Sequence, residues 1–244
     1  MNARLESTGH EKYALSADQA LGQIAVQLPG ATAIFRRLKL DFCCGGQMSL
    51  QQAAADKGLD VAAVLAELSE LQRPSALPGV TEPGELIDHI LSRYHEVHRA
   101  QLPELIRMAH RVEAVHREHP LVPAGLGDLL QAMNEELLSH MQKEETILFP
   151  MLKSGGNPFA VHPIGMMRSE HVDHGQTLEK LAALTQEATP PVDACNTWRA
   201  LYAGIAQLHD DLINHIHLEN NVLFPQFELP PAAQDCGASG CGCG

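Results

Sequence analysis

The sequence predicts an all-α protein, an antiparallel four-helix bundle preceded by a small helical N-terminal domain. Three observations carry this. Aromatic residues are only 4% of the chain while Leu, Ala, Glu and Gln are frequent, which favours helices over strands. Four long stretches place apolar residues at alternating steps of four and three. The connections between them are short and rich in Gly and Pro, the pattern of neighbouring helices that run in opposite directions.

Taken in order, residues 14–73 read as short helices. Ser16 is placed to cap a first helix whose apolar positions are Leu21, Ile24, Ala25 and Leu28, and Pro29-Gly30 breaks it. The stretch ATAIFRRLKL suggests a second helix, DFCCGGQMS a turn, and Asp60 to Leu71 a further amphipathic helix. Residues 74–84 read as a linker, within the Pro/Gly-rich segment RPSALPGVTEPGE. Residues 85–227 form the bundle, with helices over Glu85–Arg117, Leu126–Leu152, Pro163–Glu187 and Ala194–Phe224. Pro103 is expected to kink the first. The tail, residues 228–244, has no helical period and reads as flexible.

The bundle seams carry the chemistry. HMQKEETILFP (His140 to Pro150) and HIHLENNVLFP (His215 to Pro225) share the pattern H-x-x-x-E-x-x-x-L-F-P, 75 positions apart. The second helix presents Leu126, Leu130, Met133, Leu137, His140, Glu144, Ile147 and Met151 along one seam. The fourth presents Leu201, Ile205, Leu208, Leu212, His215, Glu219 and Val222. The third gives Ile164, Met167, His171, His174, Leu178 and Leu181, and the first gives Ile87, Leu91, His95, His98, Leu102 and Leu105 with one extra step of four. His95 and His140 are 45 positions apart and His171 and His215 are 44, so the bundle reads as two hairpins related by a pseudo-twofold axis.

Burying two carboxylates and at least four imidazoles in a Leu-rich core is costly unless something pairs them, and metal ions do so. Two pseudo-equivalent His/Glu sets suggest two ions with the glutamates as bridges; imidazole plus carboxylate suits iron, manganese or zinc, and iron is preferred because a bridged pair can change oxidation state and hold open positions for a small ligand. His-first order (H-x-x-x-E) differs from the Glu-x-x-His of ferritin-like oxidases. Spacing alone leaves His98 and His174 open as ligands, supporting groups or ordinary core residues. Glu136 lies one turn before His140, and Glu170 precedes His171; both are candidate acids supporting the site or moving protons. His10, His89, His110, His116, His119, His162, His209 and His217 read as surface or capping residues.

Cys43 and Cys44, followed by Gly45-Gly46 in a turn that permits exposure, read as a vicinal thiol site for redox exchange, NO chemistry or transient iron or cluster contact, the alternative being a pair of small buried residues at a helix start. Cys236, Cys241 and Cys243 in the tail suit an additional soft metal as well as they suit a structureless end. Cys195, at the start of the fourth helix, reads as structural. The net charge of −13 argues against nucleic acid as a partner. No apolar run is long enough for a membrane span, and the N-terminus is polar, so the expected location is the cytoplasm.

LKLDFCCGG, RYHEVHRAQLPEL, NEELLSHMQKEETILFPM, SEH and HLENNVLFP together resemble the repair-of-iron-centres family of di-iron proteins, whose C-terminal part is a hemerythrin-like domain. The resemblance runs from about residue 20 to 225. It implies a hemerythrin-like bundle whose two non-heme irons, carboxylate- or oxo-bridged, are held by His95, His140, Glu144, His171, His215 and Glu219. It thus selects His95 over His98 and His171 over His174, which spacing could not do. It further implies tolerance of nitric oxide and peroxide, NO or O2 as small ligands, and damaged iron–sulfur proteins as iron recipients. Iron donation, reduction of NO, and NO or O2 binding without turnover all stay open under it, as does a homodimer. The tail cysteines depart from the family pattern.

Overall fold

The computed structural model describes residues 15–28, 31–70, 82–155 and 158–228. The expectations for residues 71–73 of the N-terminal domain, residues 74–81 of the linker, His10, the break at Pro29-Gly30, and residues 229–244 of the tail with Cys236, Cys241 and Cys243 lie outside the described residues.

The N-terminal domain consists of four short helices, α1 (Leu21–Gln27), α2 (Ala31–Arg37), α3 (Leu50–Asp56) and α4 (Val61–Glu70). They close over Leu21, Ile24, Phe35, Phe42, Leu50 and Leu68. Ser16 does not cap α1. Its N–H donates to the Gln19 side chain, and α1 starts five residues later behind Ala20. Side-chain caps in this domain sit on α3, where Ser49 Oγ accepts from the N–H of Gln52, and on α4, where Asp60 Oδ1 accepts from the N–H of Ala62.

The bundle starts with α5 (Pro83–Ile90), a π-helical turn (Leu91–His95) and α6 (Glu96–Val115), which run on as one helix. Pro103 lies within α6 without ending it. The second bundle helix is α7 (Leu126–Lys143), a π turn (Glu144–Leu148) and α8 (Phe149–Lys153). The third is α9 (Val161–Leu184). The fourth is α10 (Asn196–Leu218), a π turn (Glu219–Leu223) and a 3-10 turn (Phe224–Gln226). Around the bundle, α6 packs on α7 and α10, and α9 on α7 and α10.

The three π turns explain where the seam departs from its predicted residues. A π turn inserts one residue into the helical repeat. After Glu144 the core positions are therefore Leu148 and Leu152, while Ile147 is 55% exposed. After Glu219 they are Leu223 and Phe224 rather than Val222. The π turn at Leu91–His95 is the counterpart of the extra step of four in the first helix.

Two apolar clusters fill the bundle. One includes Leu102, Leu105, Leu130, Leu137, Leu181 and Leu208. The other includes Ile87, Ile90, Leu148, Phe149, Ile164 and Leu223. Along each helix the histidines and glutamates fall between these clusters, so they form one polar layer with apolar packing on either side. Among the described residues no helix is long and apolar enough to cross a membrane.

The N-terminal domain docks on the last bundle helix beside that layer. Asn221 Nδ2 donates to the carbonyls of Phe42 and Cys43, at 3.3 and 3.4 Å. Gly22 and Gly46 make this approach feasible. A Cβ on Gly22 would stand 2.5 Å from Asn221 Oδ1, and one on Gly46 2.5 Å from the Phe42 carbonyl. Arg36 adds a 2.9 Å hydrogen bond to Asn214.

Candidate metal centre

Helical spacing turns His95, His140, His171 and His215 inward from the four helices, and Glu144 and Glu219 join them one turn after a histidine. All six are at most 1% exposed. Their donor atoms form two sets, each within 4.8 Å. One is His95, His215, Glu144 and Glu219; the other is His140, His171, Glu144 and Glu219. Each set takes one histidine from each hairpin, as the pseudo-twofold axis requires.

Both glutamates are shared, one oxygen to each set. Glu144 Oε2 lies 3.4 Å from His95 Nε2, and its Oε1 lies 3.4 Å from His140 Nε2. Glu219 Oε1 is 3.0 Å from His215 Nε2, and its Oε2 is 3.0 Å from His171 Nε2. This is the arrangement of two carboxylates bridging two ions.

The residues fit such a pair. Neither oxygen of Glu144 has a hydrogen-bond partner although both are buried, the signature of groups made for a cation. The Nε2 atoms of His95 and His215 stand 3.1 Å apart, as do those of His140 and His171. Two nitrogens about 2.1 Å from one ion stand about 3.0 Å apart at a right angle and about 3.4 Å apart at the tetrahedral angle. The histidine pairs at 3.1 Å and the histidine–carboxylate pairs at 3.0 and 3.4 Å all fall within the range of two ligands on one ion. Four protein donors per ion leave two positions open in a six-coordinate shell.

Three of the four histidines are held from behind. His95 Nδ1 meets Glu145 Oε1 at 2.8 Å, and Arg99 holds the same oxygen at 2.7 Å. His140 Nδ1 meets Glu170 Oε2 at 2.8 Å, with Lys143 on the other oxygen of Glu170. His171 Nδ1 donates to Asn220 Oδ1 at 2.9 Å. His215 Nδ1 has no hydrogen-bond partner, and the Tyr94 ring stacks flat on its imidazole at 5.3 Å. Such contacts fix the ring and leave Nε2 to face the ion.

Sequence reasoning thus found Glu170 but missed Glu145 and Asn220. The only mark they carry in the sequence is their place, each directly after the glutamate of a repeated motif. Glu136 is corrected by the structure. It lies exposed on the outer face of α7, and Leu137 takes the inward position beside it. His217 is also corrected: it is 5% exposed, with the Phe42 ring edge-on at 5.1 Å, and burial pushes it down to about 4. Cys195 is exposed and touches His116 Nε2 at 3.2 Å, so it is no core residue.

His98 and His174 are buried one turn beyond His95 and His171, outside both donor sets. None of their ring nitrogens has a hydrogen-bond partner. Burial, then the neighbouring imidazoles, pushes His98 down to about 2 and His174 to about 3, so both are neutral at physiological pH. In the metal-free protein burial pushes His140 down, but Glu144, Glu219 and Glu170 outweigh it and lift it to about 9.

Cys43 and Cys44 stand at the docking seam beside this layer. Cys44 Sγ is 3.4 Å from the His171 carbonyl, and Asn220 Nδ2 is 3.4 Å from the Cys43 carbonyl.

Comparison with known proteins agrees with this architecture. Residues 86–227 match the family described as "Hemerythrin HHE cation binding domain", and residues 17–72 match ScdA_N, a domain of unknown function. The "Iron-sulfur cluster repair protein YtfE" of Citrobacter koseri is 52% identical over 211 residues, which is 86% of this chain and 96% of that protein. Its namesakes in Dickeya chrysanthemi and Escherichia coli O8 are each 51% identical, over 212 and 211 residues, with the same coverage.

Proposed function

The chain belongs to the family of YtfE-type iron–sulfur cluster repair proteins, and on that premise we propose that it is a cytoplasmic di-iron protein that restores damaged iron–sulfur centres under nitrosative or oxidative stress. We take the metal to be iron because the donor set is imidazole and carboxylate without thiolate, arranged so that two ions would share both glutamates, and a pair of that kind can change oxidation state. His95, His140, Glu144, His171, His215 and Glu219 hold the two ions. When bound, the ions supply a redox-active, bridged pair that binds small ligands and can give up iron. Damaged iron–sulfur proteins are the recipients.

The chain's own residues set how tightly the ions are kept. Glu145, Glu170 and Asn220 orient three of the imidazoles and raise their basicity. Glu170 is half-buried and salt-bridged to Lys143, so it also connects His140 to solvent for proton movement. Cys43 and Cys44 supply thiols beside the centre.

The observation that carries the reading is the pair of buried glutamates, each with one oxygen turned to each histidine pair. The test is iron content and repair together. The anaerobically purified protein is expected to hold two irons per chain and to restore an inactivated [4Fe–4S] enzyme. The His140→Ala/His215→Ala variant is expected to do neither. A variant that repairs without bound iron would overturn the reading. A second reading, NO binding or turnover at the centre, draws on the two open positions per ion. Nitrous oxide formed over many turnovers with a reductant would favour it over iron donation.

A further inference from the structure

Asp41, Cys43 and Cys44 form a third cluster of potential ligand atoms, all within 4.8 Å of one another and outside the His/Glu layer. The Sγ atoms of Cys43 and Cys44 are 3.8 Å apart, and both thiols are free. Two thiolates about 2.3 Å from a tetrahedral ion stand about 3.8 Å apart. Asp41 Oδ1 lies 3.2 Å from Cys43 Sγ, within the range of two ligands on one ion.

The loop is built around that carboxylate. Asp41 Oδ1 accepts from the N–H groups of Cys43 and Cys44, at 3.1 and 2.9 Å, and Oδ2 accepts from Gly45 at 2.8 Å. A Cβ on Gly45 would press on Oδ2 at 3.0 Å, so glycine lets the chain wrap closely. These bonds hold both sulfurs on the same side of the carboxylate before any ion arrives. The hydrogen bond with Cys44, burial and the Asp41 charge all push the Cys43 thiol far up, so it stays protonated when metal-free.

The cluster has an address. Cys44 Sγ touches the His171 carbonyl, and Asn220 spans from His171 Nδ1 to the Cys43 carbonyl. A Cβ on Gly175 would lie 3.9 Å from Cys44 Sγ. His174, the preceding residue, packs its ring against His140 at 4.9 Å and has two unpartnered ring nitrogens. All of these contacts belong to the His140/His171 set and none to the His95/His215 set.

We propose that Asp41, Cys43 and Cys44 form a second, transient metal site that receives ferrous iron from the His140/His171 side of the centre and hands it to the acceptor. The handover, though not the metal site itself, rests on the iron-donation reading above. The step is a ligand exchange without redox change: Fe2+ leaves its imidazole and carboxylate ligands, binds both sulfurs and Asp41, and two thiol protons go to solvent. Asp41 is exposed and both thiols are half-buried, so an ion held by these three ligands would remain accessible to a ligand of the acceptor.

The test uses the iron-loaded full-length chain with Cys236, Cys241 and Cys243 changed to Ser, so that the tail cannot contribute thiols. Anaerobic titration with Co2+ is expected to add one ion per chain with a thiolate-to-cobalt charge-transfer band. Cys43→Ser/Cys44→Ser should abolish the band, and Asp41→Asn should weaken binding at least tenfold. Absence of the band in the parent, or its persistence in the double variant, overturns the site. Iron transfer to an apo [4Fe–4S] acceptor is followed in parallel, with iron content as the control for folding. The double variant should transfer at least tenfold more slowly; an unchanged rate also overturns the proposal. If the parent binds Co2+ at the thiols but transfers no iron, the donation reading fails, and the handover role fails with it while the metal site stands.

Discussion

Asn220 offers a direct way to change how tightly one ion is kept. It gives His171 Nδ1 a neutral oxygen at 2.9 Å, while Glu145, at the same position of the other motif, gives His95 a carboxylate at 2.8 Å. Asn220→Asp puts a carboxylate behind His171 at almost unchanged shape. The anion makes the imidazole a stronger ligand and adds a negative charge near the ions. The lost contact of Asn220 Nδ2 with the Cys43 carbonyl is long, 3.4 Å, and weak. Partners of this kind are worth about 10- to 100-fold in metal affinity, or about 1.4–2.7 kcal/mol. Iron release to a strong chelator should therefore slow by about that factor in one kinetic phase, worth one ion per chain. Glu145→Gln should speed the other phase by a similar factor, because Arg99 keeps the side chain in place. Repair of an inactivated cluster enzyme should slow in Asn220→Asp although the iron content is unchanged. If both substitutions alter the same phase, or Asn220→Asp alters neither, the assignment of the two residues to separate ions is refuted.

Glu144→Ala and Glu219→Ala should each cost both ions, since each glutamate serves both sets, whereas His95→Ala should spare more metal; equal stoichiometry in all three by elemental analysis counts against bridging. The raised His140 value predicts that metal uptake at pH 7 displaces a proton at a cost of about 2.7 kcal/mol. Apparent affinity should then rise about tenfold per pH unit from pH 7 to about 9 and level off, and a flat chelator-competition curve would reject this. The same raised value stabilises the metal-free fold below pH 6.5, a contribution lost as pH rises through about 9, which thermal melts of the apo protein will register. Gly22→Ala should destabilise the docked N-terminal domain by about 1–3 kcal/mol, and Asn221→Gly should recover part of it; purely additive effects in the double variant would mean the two do not touch.

The four helices and the six inward-facing residues were legible because periodicity and burial chemistry agree there. A histidine in a seam of leucines has few innocent explanations once it recurs on every helix. What periodicity could not give was the register after each motif. Counting on from Glu144 by ordinary helical steps selects Ile147, but the π turn passes that place to Leu148. Glu136 suggests itself because it lies one turn before His140, but the seam's own count selects Leu137, and the structure leaves Glu136 exposed beside it. His217 looked superficial because its partner, Phe42, comes from the other domain, and one-dimensional spacing is blind to such contacts. Glu145 and Asn220 directly follow the glutamate ligands, and spacing alone gives no sign that a residue in that place reaches back to a histidine of another helix.

The π turns also divide the centre mechanically. His140, His171 and His215 stand on uninterrupted α-helix, where each backbone carbonyl is tied to the fourth residue on. His95, Glu144 and Glu219 belong to the widened turns, where one more residue shares any displacement. Three ligands are thus mounted rigidly and three on a compliant backbone. A change in the size or occupancy of the centre would then be taken up first at the widened turns, with the ligands on unbroken helix holding their place, so the cage is sprung on one side and anchored on the other.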